Sequence, residues 1–255
     1  MNGMRILTLI LAASCLFLSS CSRYYYKPNA INTPMFTDGM QAHIAGAASI
    51  GGDDEDRTTF ADLQASFSPI KHLGIIGNYS TYNYSPYSPA TTPAHAYIIE
   101  GGLGGYYASG GKKVKLVVEL YGGLGKGELK SDVDLDLTRY FIQPGIGMRS
   151  PWVDAVFNLR LAMLKYSNLD DNGRGIGYLQ DQNLVNTMYA RGITNSTYTF
   201  VEPAFTIRGG YKFVKVQIQL VGSVPFESVA WNYDPIRFTV GVHFSVEDLL
   251  DMAKP

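Results

Sequence analysis

Cysteine is nearly absent from this 255-residue chain: the two it has, Cys15 and Cys21, both fall in the first 21 residues. The remainder can hold no disulfide framework, cysteine-based zinc cluster or cysteine nucleophile. After the first 20 residues no apolar run reaches 18, so the sequence offers no transmembrane helix. Charge is also scarce, at 17% of residues and a net −1, and no basic surface points to nucleic acid. The chain is instead rich in tyrosine, with 18 Tyr beside 12 Phe and 2 Trp, and in glycine, with 27.

The N-terminus reads as a targeting segment. Arg5 supplies a small positive region, and Ile6 to Leu18 is an apolar stretch too short to span a bilayer. It closes on Leu18-Ser19-Ser20-Cys21, which resembles the lipobox of bacterial lipoproteins. That resemblance implies a signal peptide over 1–20 and acylation of Cys21, with the mature chain beginning there. Cys15 is a poorer match, because it lacks Leu three residues before it; an ordinary cleaved signal with a chance cysteine is the simpler alternative. Ser22-Arg23 follows, with no Asp after the cysteine and no acidic export run. The anchor is therefore expected on the periplasmic side of the outer membrane. Residues 21–39, with Tyr24-Tyr25-Tyr26, Pro28 and Pro34, are expected to be the anchor and an extended linker, with the tyrosines at the membrane interface.

From 40 to 245 the dominant signal is period-2 alternation over segments of about ten residues. Val214, Val216, Ile218 and Leu220 alternate with Lys215, Gln217 and Gln219; Ile236, Phe238, Val240, Val242 and Phe244 alternate with Arg237, Thr239, Gly241 and His243. The same holds for 61–68, 113–124 and 153–163, whereas 40–50 and 132–148 are the weakest, the latter losing register near Arg139. Tight joints are expected at 69–71, 110–111, 150–151 and 209–210, and long ones at 51–57, 85–94, 126–132, 167–197 and 222–234. The alternation fits either a membrane barrel or a lipocalin-like soluble barrel with the faces reversed. The secretory leader, the strand length and the ordered short and long connections favour the membrane form. The predicted fold is all-β: an antiparallel up-and-down transmembrane β-barrel of about ten strands, eight being the alternative, followed by a periplasmic tail over 246–255 in which Ser245-Val246-Glu247-Asp248 opens a short C-terminal helix. An even strand count places both barrel ends on the periplasmic side, with the short, lysine-bearing turns. The long acidic loops then face outward.

On the polar face, Asp62, Glu100, Lys115, Glu119, Asp154, Arg160, Glu202, Arg208, Lys215 and Arg237 are expected to form a mixed-charge lumen network. Such groups must pair in a narrow barrel, so they read first as a structural filling and second as a pore lining. His243-Phe244-Ser245 resembles the His-x-Ser dyad of barrel-type lipid A deacylases, but Val246 stands where that motif continues with Asn, and an inward His beside a helix-capping Ser is the preferred reading. Asp53-Asp54 and Asp170-Asp171 lack the neighbouring His that a barrel protease needs. Asn168-x-Asp170-x-Asn172-Gly173 begins like a calcium loop but has Leu179 where the twelfth-position Glu belongs, and Asn172-Gly173 is a turn signal in its own right. No metal site or cofactor is expected.

The whole pattern resembles the small bacterial outer-membrane β-barrel proteins (the porin-like and OmpA-like class), here in lipoprotein form. The Pro69-x-Lys71-His72-x-Gly74-Ile75 turn is similar to turns of such barrels in Bacteroidetes-type bacteria. The resemblance implies outer-membrane lipids as partners and an extracellular partner reached through 167–197. The expected role is structural or surface-interacting without catalysis, with a narrow small-solute channel as the alternative and an outer-membrane hydrolase as the third reading.

Overall fold

The computed structural model describes residues 24–51, 57–86, 92–111, 113–186 and 191–252. The signal segment, Cys21 and the acidic run 53–56 lie outside them. Seven strands come first: β1 (Gln41–Gly51), β2 (Arg57–Ser68), β3 (Leu73–Ser85), β4 (Ala94–Gly110), β5 (Lys115–Lys130), β6 (Asp134–Arg149) and β7 (Val153–Asp170). A long connection then holds helix α1 (Gly175–Asp181) and the small hairpin β8 (Val185–Asn186) and β9 (Arg191–Gly192). The chain continues as β10 (Thr197–Tyr211), β11 (Val214–Gly222), the two-residue β12 (Val224–Pro225), β13 (Ile236–Ser245) and helix α2 (Val246–Met252).

Ten long strands pair antiparallel in the order β1 to β7, β10, β11, β13, and β13 pairs back onto β1 through His43↔Ser245 to Ala48↔Val240, closing the ring. β12 adds a short pairing to β10 at Phe200 and Val201. Closure leaves no unpaired sheet edge, a requirement for backbone that crosses hydrocarbon. The expected ten-strand barrel is thus present, and the two weak segments are full strands. The joint expected at 126–132 shrinks to 131–133, because β5 continues to Lys130. The joint expected at 209–210 lies instead at 212–213, where Lys212 takes a positive φ of 27° between the paired Tyr211 and Val214.

The direction of the alternation decides between the two barrel types. Lys215, Gln217 and Gln219 are buried inside, while Val216, Ile218 and Leu220 are each at least 44% exposed on the outside. The same holds around the ring, where Leu63, Ile99, Val118, Ile142, Phe157 and Phe205 all face out. A water-soluble barrel would reverse these faces. Exposed aromatics gather toward the short-turn end at Tyr107, Trp152 and Tyr211, as interfacial girdles do.

The main departure from expectation concerns residues 24–39. They form no external linker: Tyr25, Tyr26, Asn29, Ala30, Ile31, Asn32, Thr33, Met35 and Phe36 are all buried, inside the barrel. At the long-loop end the Tyr25 amide donates to the Asn232 carbonyl at 2.8 Å, and Tyr26 forms an isolated parallel bridge with Tyr233. At the short-turn end the Tyr106 hydroxyl donates to the Asp38 carbonyl at 2.6 Å. The segment therefore runs the length of the lumen, and the chain then reverses into β1. Pro28 and Pro34 keep it extended and out of the ladders, so it lies free of the sheet while surrounded by it. Of the tyrosines expected at the membrane interface, Tyr25 and Tyr26 are lumen residues.

Small residues on the inner wall make room for this filling. A Cβ on Gly147 would lie 2.9 Å from the Met35 methyl, while Gly74 makes room for the wall's own Tyr121, whose ring would lie 2.9 Å from a Cβ there. Phe157 packs outward opposite Phe205. Phe157→Arg should lower the unfolding free energy in phospholipid vesicles by about 2–4 kcal/mol, the cost of a cation on the lipid face near the midplane. Urea titration of the refolded barrel measures this.

Candidate functional site

The lumen wall carries five buried carboxylates, Asp62, Glu100, Glu119, Asp154 and Glu202, and five buried cations, Arg139, Arg160, Arg208, Lys215 and Arg237. Moving an ion out of water costs several kcal/mol unless a partner and further hydrogen bonds compensate it. Four pairs do so. Arg139 Nη2 lies 2.6 Å from Glu100, Arg160 Nε donates to Glu202, Lys215 Nζ lies 2.7 Å from Asp154, and Arg237 binds Asp62. Glu202 and Arg160 are cross-strand partners on β10 and β7. Each of the other three pairs reaches over one intervening strand, β4 to β6, β7 to β11 and β2 to β13, so they brace the inner wall beyond the strand ladders.

Among the described residues Glu119 and Arg208 take no salt bridge, and both bind the N-terminal segment. Glu119 Oε2 accepts from the Met35 amide at 3.1 Å, while Arg208 Nη2 donates to the Thr33 carbonyl at 2.7 Å and to its hydroxyl at 2.6 Å. The rest of the segment is held in the same manner. Gln219 grips Ile31 from both sides, accepting from its amide at 2.7 Å and donating to its carbonyl at 2.9 Å. Arg237 donates to the Pro28 carbonyl at 3.0 Å, Gln143 to the Asn32 carbonyl at 2.7 Å, and Arg149 to the Met35 carbonyl at 3.1 Å. Side chains join in: the Asn29 amide donates to Glu100 at 2.7 Å and its carbonyl oxygen accepts from Arg139 at 2.7 Å, while Tyr26 binds Glu202 and accepts from Arg139 at 3.0 Å. Wall side chains thus take the place of a neighbouring strand for an extended backbone that has none.

Nine of the ten lumen charges expected from the sequence are buried on the inner wall. Lys115 shares their phase, but as the first residue of β5 it sits half-buried at the rim and takes no part in the ion pairs described. Arg139, at the centre of the network, was not among them. Its strand puts apolar Leu135, Leu137 and Phe141 on the inner face as well, so polarity does not alternate there and the inward phase is masked.

Both mouths are covered. At the long-loop end Trp231, from the connection 223–235, packs 5.1 Å from Tyr198 and 5.7 Å from Tyr166, in one apolar cluster with Tyr25, Tyr26, Leu179, Leu184 and Ile193. Leu179, Leu184 and Ile193 thus bring the connection that holds α1 over the filled lumen. A pocket beside Tyr25, Lys27, Phe60 and Arg237 leaves about 50 Å³ there, room for a few waters. Asp170 and Asp171 accept from the backbone amides of Asn172, Gly173 and Gly175 at 3.0 Å, so the calcium-like sequence is a turn. Among the described residues, no group of three or more metal-ligating side chains occurs.

At the short-turn end Glu247 of α2 binds back to the barrel. Its Oε1 accepts from His43 Nε2 at 2.7 Å and from Arg149 at 3.1 Å, and its Oε2 accepts from the Ala42 amide at 3.1 Å. Burial opposes its ionisation, but the His43 hydrogen bond and the His43 and Arg149 charges outweigh this and hold the carboxyl at about 2. His243 and Ser245 face inward beside this cluster, with the His243 ring edge-on to His43 at 5.0 Å; the Ser245 hydroxyl accepts from Arg149 at 3.5 Å rather than from His243.

No family model matches the sequence, and no curated protein matches it. Among solved structures the chain is similar to LpxR from Salmonella typhimurium, at 8% identity and a TM-score of 0.30, over 80% of this chain and 99% of that one. LpxR is an outer-membrane enzyme, a lipid A deacylase. The expectation of a chain without catalysis is withdrawn on that finding. At that identity and TM-score the likeness assigns neither a residue nor a reaction to the present chain.

Arg139→Leu strands Glu100 without its closest partner and should cost about 3–5 kcal/mol in urea unfolding, whereas Lys115→Ala at the rim should stay within about 0.5 kcal/mol. The docking of α2 should depend on acid. A carboxyl held low in the folded state adds stability that is complete above its unfolded value and lost as pH falls through the folded one. For Glu247 that window runs from about 4.5 down to about 2. Hydrogen exchange across 246–252 should lose protection in that window for the wild type and show no such step in Glu247→Gln.

Proposed function

We propose that this chain is an outer-membrane β-barrel that seals its own lumen and acts as a surface platform, presenting the connections 171–196 and 223–235 to a partner outside the cell. The occupied lumen carries this reading. Residues 24–38 fill the barrel from mouth to mouth, bound through their backbone, and the two connections pack on the upper end of that filling. Loops anchored this way present a fixed surface, the usual condition for recognition without a large ordering cost. Ile176 and Phe226, exposed on those connections, are the side chains such a partner would meet.

The same observation weighs against the small-solute channel. Charges that would line a pore are instead spent on one another and on the segment. In planar bilayers the purified wild type should show no stable open state, and deletion of 24–38 should produce one. A stable open state in the wild type would sink the sealed-platform reading in favour of the channel.

A further inference from the structure

We propose that the lipid anchor of this protein sits in the outer-facing leaflet, with the chain re-entering the cell envelope through the lumen of its own barrel. This rests on the outer-membrane reading above and on the lipobox at Leu18-Ser19-Ser20-Cys21. The carrying observation is the direction of the N-terminal segment. Residues 25–27 are fixed at the long-loop mouth: the Tyr25 amide donates to Asn232, the Asp234 amide donates to the Tyr26 carbonyl at 2.8 Å, and Lys27 pairs with Asp234 at 3.6 Å. Only at Asp38, held by Tyr106, does the chain reach the short turns.

Cys21 is three residues before Tyr24, and three residues span at most about 10 Å. The hydrocarbon core is about 30 Å thick. From Tyr24 the cysteine can therefore reach the leaflet at the long-loop end but not the one at the short-turn end. A route down the lumen is already occupied, and the wall is a closed hydrogen-bonded ring. Acyl chains bound to Cys21 gain about 0.8 kcal/mol for each buried methylene, so they enter the leaflet within reach. In outer-membrane barrels the short turns are periplasmic and the long loops external. The anchor then lies outside, on the opposite face from the one expected at the sequence level.

Single-cysteine reporters test this, because no other cysteine remains after Cys21. Tyr24→Cys, Ser228→Cys on an outer connection and Lys71→Cys on a short turn are probed in whole cells with a membrane-impermeant maleimide, before and after outer-membrane permeabilisation. Mass spectrometry of the N-terminal peptide reads acylation of Cys21. Support requires an acylated Cys21, with Tyr24→Cys labelled on intact cells as strongly as Ser228→Cys and Lys71→Cys labelled only after permeabilisation. Labelling of Tyr24→Cys only after permeabilisation while Ser228→Cys labels freely overturns the anchor's placement and leaves the barrel's orientation intact. An unacylated Cys21 overturns it as well. Labelling of Lys71→Cys but not Ser228→Cys on intact cells overturns the orientation, and the outer-membrane reading with it.

Discussion

A charged interior that must balance without water is the constraint on which this barrel depends. Ten strands enclose a bore in which five carboxylates and five cations lose their hydration. Four salt bridges neutralise most of them. Glu119 and Arg208 are completed by amide and carbonyl groups of the N-terminal segment. The dependence runs both ways. An extended strand with prolines and no ladder neighbour has peptide groups that cost several kcal/mol each if buried unpaired. The wall supplies side chains for them at 28, 30, 31, 32, 33 and 35. Neither wall nor filling is a satisfied structure without the other.

This mutual satisfaction passes into the mouths. Tyr25 and Tyr26 end the polar filling and begin the aromatic cap that seats Trp231, so the posture of the outer connections follows from the segment beneath. At the opposite end Arg149 binds both the Met35 carbonyl and Glu247, linking the foot of the segment to α2. A surface built on such a column is rigid because its support is.

The ring of strands was legible because apolar and polar side chains alternate with the pleat, and lipid outside with ions inside imposes that alternation on β2, β7, β11 and β13. β6 obscured its own phase: Leu135 and Phe141 face inward against aromatic neighbours, so Arg139 gave no periodic signal. The filling was legible in composition but not in place. Asn29, Asn32 and Thr33 between two prolines look the same whether water or a polar lumen surrounds them, and only the wall's donors tell the two apart. The same misplacement stood behind the expected periplasmic anchor, which the proposal above moves to the opposite leaflet. The exclusion of catalysis failed for a different reason, since a site on a barrel is a matter of a few side chains that fold-level pattern does not record.

The closed ring also constrains how the filling can enter. β1 and β13 meet along six registered pairs, whereas β1 and β2 share eleven. Drawing a finished N-terminus through this bore would mean dragging Tyr25 and Tyr26 past Arg139, Arg160 and Arg208 in a space already full. A sheet still open at the β1–β13 seam presents the same charges as a trough into which the segment can be laid sideways. With the fewest pairs in the ring, that seam is also where opening the wall costs the fewest ladder bonds, as a stave vessel parts most easily at its narrowest joint.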